Sequence, residues 1–360
     1  MHHFQPVLAA CTKKAAAKFA VASVLFLLAD PIHAAGDITG VGLGFLPDVP
    51  GGRFSAAQAV SNDGSVVVGY SDSVVLGVST SRQAFRWTQS TGMVGLGFLP
   101  GANASKAHGV SADGTVVVGY SVAQAFRWSQ STGMVGLGFL PGSSGSYALG
   151  VSADGAVVVG YSDNHSFRWT ESTGMVALKL APGETNSRAH AVSADGSVVV
   201  GFSVNSKGRR QAFRWTRSGG MVGLGFLPGG ADSAAVGVSA DGSVVVGRSD
   251  SRSGVRAFRW TQAGGMVGLG TLPGTIGSRA FGVSADGTTV VGYSENRDVS
   301  HAFRWTQAGG MVALPGDAFN AAFCASSDGS VVAGYDGGGH QAFVWKSTPN
   351  KKPPSPSLNH

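Results

Sequence analysis

One segment of this chain is written seven times. Gly237–Trp260 reads GVSADGSVVVGRSDSRSGVRAFRW, and similar stretches put a turn aspartate at Asp63, Asp113, Asp154, Asp195, Asp241, Asp286 and Asp328, spaced by 50, 41, 41, 46, 45 and 42 residues. A Phe-x-Trp element recurs in step and uses every tryptophan present: Trp87, Trp128, Trp169, Trp215, Trp260, Trp305 and Trp345. A Gly-Met-Val-x-Leu element occurs only six times, between Gly92 and Gly310. Its missing copy stands at the other end, where ITGVGLGFLP (Ile38–Pro47) matches GMVGLGFLP without the methionine. This period constrains the fold more than composition does. A unit of about 44 residues cannot bury its apolar face alone and must stack on its neighbours.

Each unit resolves into four short strands. The first ends at the serine before Ala-Asp-Gly, a tight reversal in which Asp bonds local backbone and Gly takes positive φ. The second is a β-branched run, SVVVGY-like, as expected where both faces are covered. The third, AFRWT, alternates Phe and Trp on one face with Arg on the other. A Gly-containing turn leads to the fourth, MVGLG, and LPG closes the unit. No segment of the mature chain has helical periodicity. Four strands per unit predict an all-β, seven-bladed propeller with four antiparallel strands per blade. Because the chain starts with a fourth strand and ends with a third, the last blade is expected to close with strands from both termini. A linear solenoid would want capping repeats instead. The seven tryptophans are expected in the core, and the seven aspartates as structural turns.

Outside the repeats the reading is coarser. Lys13, Lys14 and Lys18 precede the apolar run Phe19–Ala29, which is too short to span a bilayer. Residues 1–34 are therefore expected to be a signal peptide cleaved after Ala34, with a propeller over 36–348 and a disordered tail over 349–360. The product is expected to be secreted or periplasmic, without a transmembrane anchor. Cleavage removes Cys11 and leaves Cys324 as the sole cysteine, so no internal disulfide is expected. Cys324 replaces Gly282 of the preceding repeat and reads as a small buried residue. The formal charge of +6 falls to +4 without residues 1–34, too little to suggest a nucleic-acid partner.

The pattern SADGSVVVGYS followed by a His-Ala-Phe-Arg-Trp strand resembles the HAF-type extracellular repeats of bacteria. The name-giving triplet stands here once, at His301-Ala302-Phe303; other copies read QAF, RAF or HSF. The resemblance covers nearly all of Ile38–Lys346. It implies secretion and a β-rich repeat fold, and carries no catalytic residues to transfer. Some members are similar to autotransporter passengers or bear a C-terminal sorting helix, whereas here only STPNKKPPSPSLNH follows Lys346. The third-strand Trp also looks like that of WD-repeat propellers, without the Trp-Asp or Gly-His pairs.

Chemistry is sparse. The turn aspartates offer one carboxylate each, too few for a calcium loop. The histidines lack metal-ligand spacing, and no Ser-His-Asp arrangement can be assembled. No metal and no cofactor are expected. The arginines Arg86, Arg127, Arg168, Arg214, Arg259 and Arg304 are expected to need partners, with the turn aspartates as candidates. The repeats themselves point elsewhere. The ADG and QSTG/QAGG turns hardly vary, while the connections between blades and between second and third strands vary widely. In an up-and-down blade the two variable classes emerge on one face, which carries Arg82, Lys106, Arg188, Lys207, Arg209, Arg210, Arg252, Arg256, Arg279 and Arg297. Lys207, Arg209, Arg210, Arg252 and Arg256 lie on adjacent blades and form the candidate ligand patch for an anionic glycan or protein surface. The expectation is a monomeric, non-catalytic binding or adhesion scaffold. The alternatives are a propeller hydrolase or lyase acting on an extracellular glycan, and an autotransporter passenger fragment.

Overall fold

In the computed structural model, residues 38–47, 52–75 and 78–347 are described; the expected signal peptide (1–34) and tail (349–360) lie outside them. These residues form a seven-bladed β-propeller of four-stranded antiparallel sheets, with no helix among them. Blades 1 to 6 follow one another along the chain, from Gly52–Val60, the first strand of blade 1, to Gly310–Ala313, the last of blade 6. Blade 7 takes three strands from Ala321–Ala325, Val331–Asp336 and Gln341–Ser347, and its fourth from Ile38–Gly42. That seam runs in register from Ile38 opposite Ser347 to Gly42 opposite Phe343. The first strands of the blades touch one another in turn around the ring and so surround the central channel.

The core lies between blades rather than within them. Phe126 and Val117 of blade 2 pack against Val66, Val68, Ala84, Leu96 and Leu99 of blade 1, and the arrangement repeats around the ring. The β-branched run is covered on both faces, because Val67 points into the preceding interface while Val66 and Val68 point into the next. The six phenylalanines Phe85, Phe126, Phe167, Phe213, Phe258 and Phe303 are fully buried. The tryptophans are less central than expected. Only Trp345 is fully buried, its indole N–H donating to the Pro315 carbonyl at 2.6 Å. The other six are half-buried and pack on the edges of the clusters.

Every letter of SADG has a structural task. The Ser239 hydroxyl donates to Asp241 Oδ1 (2.6 Å) and accepts from the Val244 N–H (2.9 Å), while Asp241 Oδ1 also accepts from the Ser243 N–H (3.0 Å). Gly242 adopts φ 70°, which glycine takes without strain. The residue between Ser and Asp joins neighbouring blades. Its N–H donates to the carbonyl of its counterpart one blade on, in the cycle Asn62, Ala112, Ala153, Ala194, Ala240, Ala285, Ser327 and back to Asn62, at 2.9–3.0 Å. Seven turns thus close a continuous backbone belt. The third-strand arginines add a latch. Nε of Arg86, Arg127, Arg168, Arg214 and Arg259 donates to the glycine carbonyl of the next blade's turn at 3.1–3.4 Å. The partner of these arginines is that carbonyl and not the aspartate beside it.

Candidate functional site

The face opposite the belt is where the first strands begin and the second strands end. All seven first strands carry a β-bulge at one position, seen as a register shift between Ala107 and Gly109 in blade 2 and at its equivalents elsewhere. The extra residues are Gln58, His108, Leu149, His190, Val236, Phe281 and Phe323. All seven line the channel, a cavity of about 200 Å³. Bulges re-aim side chains at functional places. Here the bulge makes a seven-member ring in which no polar identity is imposed by the repeat. Blades 5 to 7 contribute an apolar arc of Val236, Phe281 and Phe323, whereas blades 1, 2 and 4 contribute Gln58, His108 and His190.

The bulge also explains the glycine inside the β-branched run. A Cβ at Gly119 would collide with the Lys106 carbonyl oxygen, and the same clash recurs at Gly69, Gly160, Gly201, Gly247, Gly292 and Gly334. Glycine within a strand is a known mark of close backbone approach, so the sequence carried the signal.

Above the bulge ring, first-strand residues stand opposite second-strand aromatics: Lys106 opposite Tyr120, Tyr147 opposite Tyr161, Arg188 opposite Phe202 and Arg279 opposite Tyr293. In blade 5 the aromatic is replaced by Arg248, opposite Ala234. These groups knit across blade boundaries. Lys106 Nζ lies 4.2 Å from the centre of Tyr70 and the Arg188 guanidinium 4.5 Å from that of Tyr161, within cation–π range. Tyr120, Tyr147 and Tyr161 form a ladder with centres 4.9 Å apart, and His108 stacks on Tyr120 at 5.5 Å.

The charges at this mouth fall into two sets. Arg82 is held by both Asp72 oxygens at 2.7 and 2.8 Å, Arg210 by Asp232 at 2.8 Å, and Arg279 by Glu295 and the Tyr293 hydroxyl. Lys106, Arg188 and Arg248 form no salt bridge among the described residues. Burial, then the nearby Arg82 charge, pulls the Lys106 ammonium down to about 8. Burial, then Arg210, lowers Arg248. The imidazoles are held neutral. Burial, followed by Lys106, His190 and Arg82, brings His108 down to about 3. Burial lowers His190 as well, with Arg188 and Arg248 in the same sense. His190 Nδ1 lies 2.8 Å from the Ala235 carbonyl and must carry the proton there, leaving Nε2 as an acceptor.

The patch read from the sequence is only partly a free surface. Lys207 and Arg209 are exposed at the tip of the blade 4 hairpin, where Asn205 Oδ1 accepts both backbone N–H groups. Arg252 is exposed on blade 5. Arg210 is taken up by Asp232, and Arg256 Nη1 donates to the carbonyls of Val255 and Ile276. The connection expected as a loop in blade 1 is largely paired backbone, from Ser73 opposite Ser81 to Val75 opposite Val78. Cys324 lines the channel, and burial pushes its thiol up to about 12, consistent with a structural cysteine. Among the described residues no group of three His, Cys, Asp or Glu could hold a metal ion, and no helix is long and apolar enough to cross a membrane.

No protein-family model matches the sequence, and no functionally characterised protein matches it. Solved structures do. The β-propeller domain of Myceliophteria thermophila Cps50 (Swd1) aligns with a TM-score of 0.54 at 10% identity, over 86% of this chain and 100% of that one. TolB from Acinetobacter baumannii aligns with a TM-score of 0.46 at 13% identity, over 84% of this chain; this chain spans 66% of the length of TolB. At these identities the likeness concerns the fold alone. A propeller of this kind is compatible with a binding or scaffold role.

Proposed function

We propose that the protein is a secreted, non-catalytic binding or adhesion scaffold, one of the HAF-type repeats, that engages an anionic partner through its variable face. Export is supported by the basic residues and apolar run ahead of Ala34. The observation that carries the reading is the division of the ring into a uniform face tied by the belt and an individual face where Lys106, Arg188 and Arg248 stand without carboxylate partners. Rigid scaffold plus variable connections is how binding surfaces are commonly built. Glycosidase chemistry would need a pair of free carboxylates, and the acids at the mouth, Asp72 and Glu295, are engaged by arginines.

The test is retention on an anionic polysaccharide matrix of the parent and of a triple variant carrying Lys207→Glu, Arg209→Glu and Arg252→Glu. These three side chains are exposed, so the fold is expected to stand unchanged. Elution of the variant at clearly lower salt supports the reading. Equal elution of both proteins, or no retention of the parent, refutes it.

A further inference from the structure

We infer that the channel mouth is a subsite for one acidic sugar residue, a pyranose ring bearing a carboxylate. The inference rests on the binding role proposed above and names its ligand.

Three chemistries converge on one opening. The first is uncompensated positive charge. Lys106 and Arg248 are half-buried without acid partners, and the charges of Lys106, Arg188 and Arg248 are all felt by the imidazoles beneath them. A cation held in a poorly solvated place gains most from an incoming anion. The second is hydrogen bonding without hydrogens. His108 has a stacked neighbour but no hydrogen-bond partner among the described residues, and it is enclosed by protein deep in the channel. Nε2 of His190 is likewise an acceptor, and Gln58 lies on the same ring. Neutral imidazole nitrogens in such a place call for donors, which a polyhydroxylated ring supplies and a bare carboxylate does not. The third is an apolar wall. Phe281 and Phe323, their rings edge to face at 5.4 Å, and Val236 and Leu149 offer a surface for the C–H face of a sugar. A channel of about 200 Å³ has room for one ring and not for a chain of them.

An aromatic acid would satisfy the cations and the apolar arc but leave His108, His190 and Gln58 unmatched. An inorganic anion would leave both lower layers unused. Only a sugar acid uses all three.

The experiment is calorimetric titration of the purified full chain with glucuronate, glucose, benzoate and sulfate. Glucuronate is expected to bind, with each of the other three at least about tenfold weaker, the loss that follows from removing a charged hydrogen bond or leaving buried acceptors unmatched. Variants are drawn from the repeat itself, so that each new residue is one the fold already holds at that position: Arg188→Tyr as at Tyr147, Arg248→Tyr as at Tyr293, His108→Leu as at Leu149. The two arginine changes are expected to weaken glucuronate binding about tenfold or more, and His108→Leu about threefold to tenfold, with unfolding midpoints unchanged. Benzoate or sulfate binding as well as glucuronate would overturn the assignment, and so would variants that bind like the parent. If no small acid binds while the polysaccharide matrix still retains the protein, the subsite is wrong and the binding role stands. If the matrix fails too, both fall.

Discussion

The two ends of the ring obey different rules. At the belt end, serine, aspartate and glycine repeat in all seven blades because each is fixed by a bond: hydroxyl to carboxylate, carboxylate to N–H, carbonyl to arginine. At the mouth, equivalent positions hold Gln, His, Leu, Val or Phe on the bulge and Ala, Lys, Tyr or Arg above it. What differs is the constraint. The belt needs particular atoms, while the bulge needs only a backbone shape and leaves its side chain free to vary. Repetition within one chain therefore separates the residues that make the ring from those available for recognition.

That contrast can be broken from the scaffold side first. Phe213→Ala should cost about 3–5 kcal/mol, because a fully buried ring is lost from an interface that cannot collapse. Trp215→Ala, at the half-buried edge of the same cluster, should cost clearly less. Chemical denaturation of the two variants checks the order, and a reversal would return the tryptophans to the centre of the core. Gly119→Ala should cost about 3 kcal/mol through overpacking against the Lys106 carbonyl. It should also impair ligand binding, because relieving the clash moves the bulge. Ser239→Ala should cost about 1–3 kcal/mol by leaving the buried Val244 N–H without its acceptor.

Acid should separate the two ends without mutation. The neutral His108 and His190 have lowered folded pKa values, so the unfolded chain binds protons first. Their contribution is intact above about pH 6.5 and is lost as pH falls toward about 3. The turn aspartates are lowered chiefly by their hydrogen bonds, the flanking serine hydroxyl coming first for Asp63 and Asp241, which drop to about 2. Their contribution is intact above about pH 4 and is lost toward pH 2. His108→Leu should remove part of the upper step and leave the lower one, read as unfolding midpoints against pH. The smallest effect belongs to Lys106. An anion at the mouth should raise its pKa back toward the ordinary lysine range, so affinity should fall as pH rises through about 8.

The architecture was legible in the sequence because it is periodic: strand count, blade count and the shared last blade all follow from where the missing GMVGL copy lies. The site was legible only as a face. Arg248 looked like an ordinary substitution of Tyr, and His108 and His190 looked scattered, because residues 82 apart in sequence become ring neighbours only once each first strand bulges at one point. The marker was present in the seven glycines that interrupt VVVG, but a strand glycine does not say which residue on the opposite strand it makes room for. The arginines were assigned the wrong acceptor for a similar reason. The carboxylate is the stronger partner in principle, yet its lone pairs are already engaged within its own turn.

The seam and the belt have separate consequences for a gene built from tandem units. Recombination between repeats adds or deletes a unit in frame, and the seam does not register the change: Ile38–Gly42 would still complete the final blade, whatever the number of units between. The belt does register it. Its circuit of N–H to carbonyl steps must meet itself, and one more or one fewer turn alters the angle at every step. In this protein the termini decide that the ring closes, and the alanine before each aspartate decides at what number.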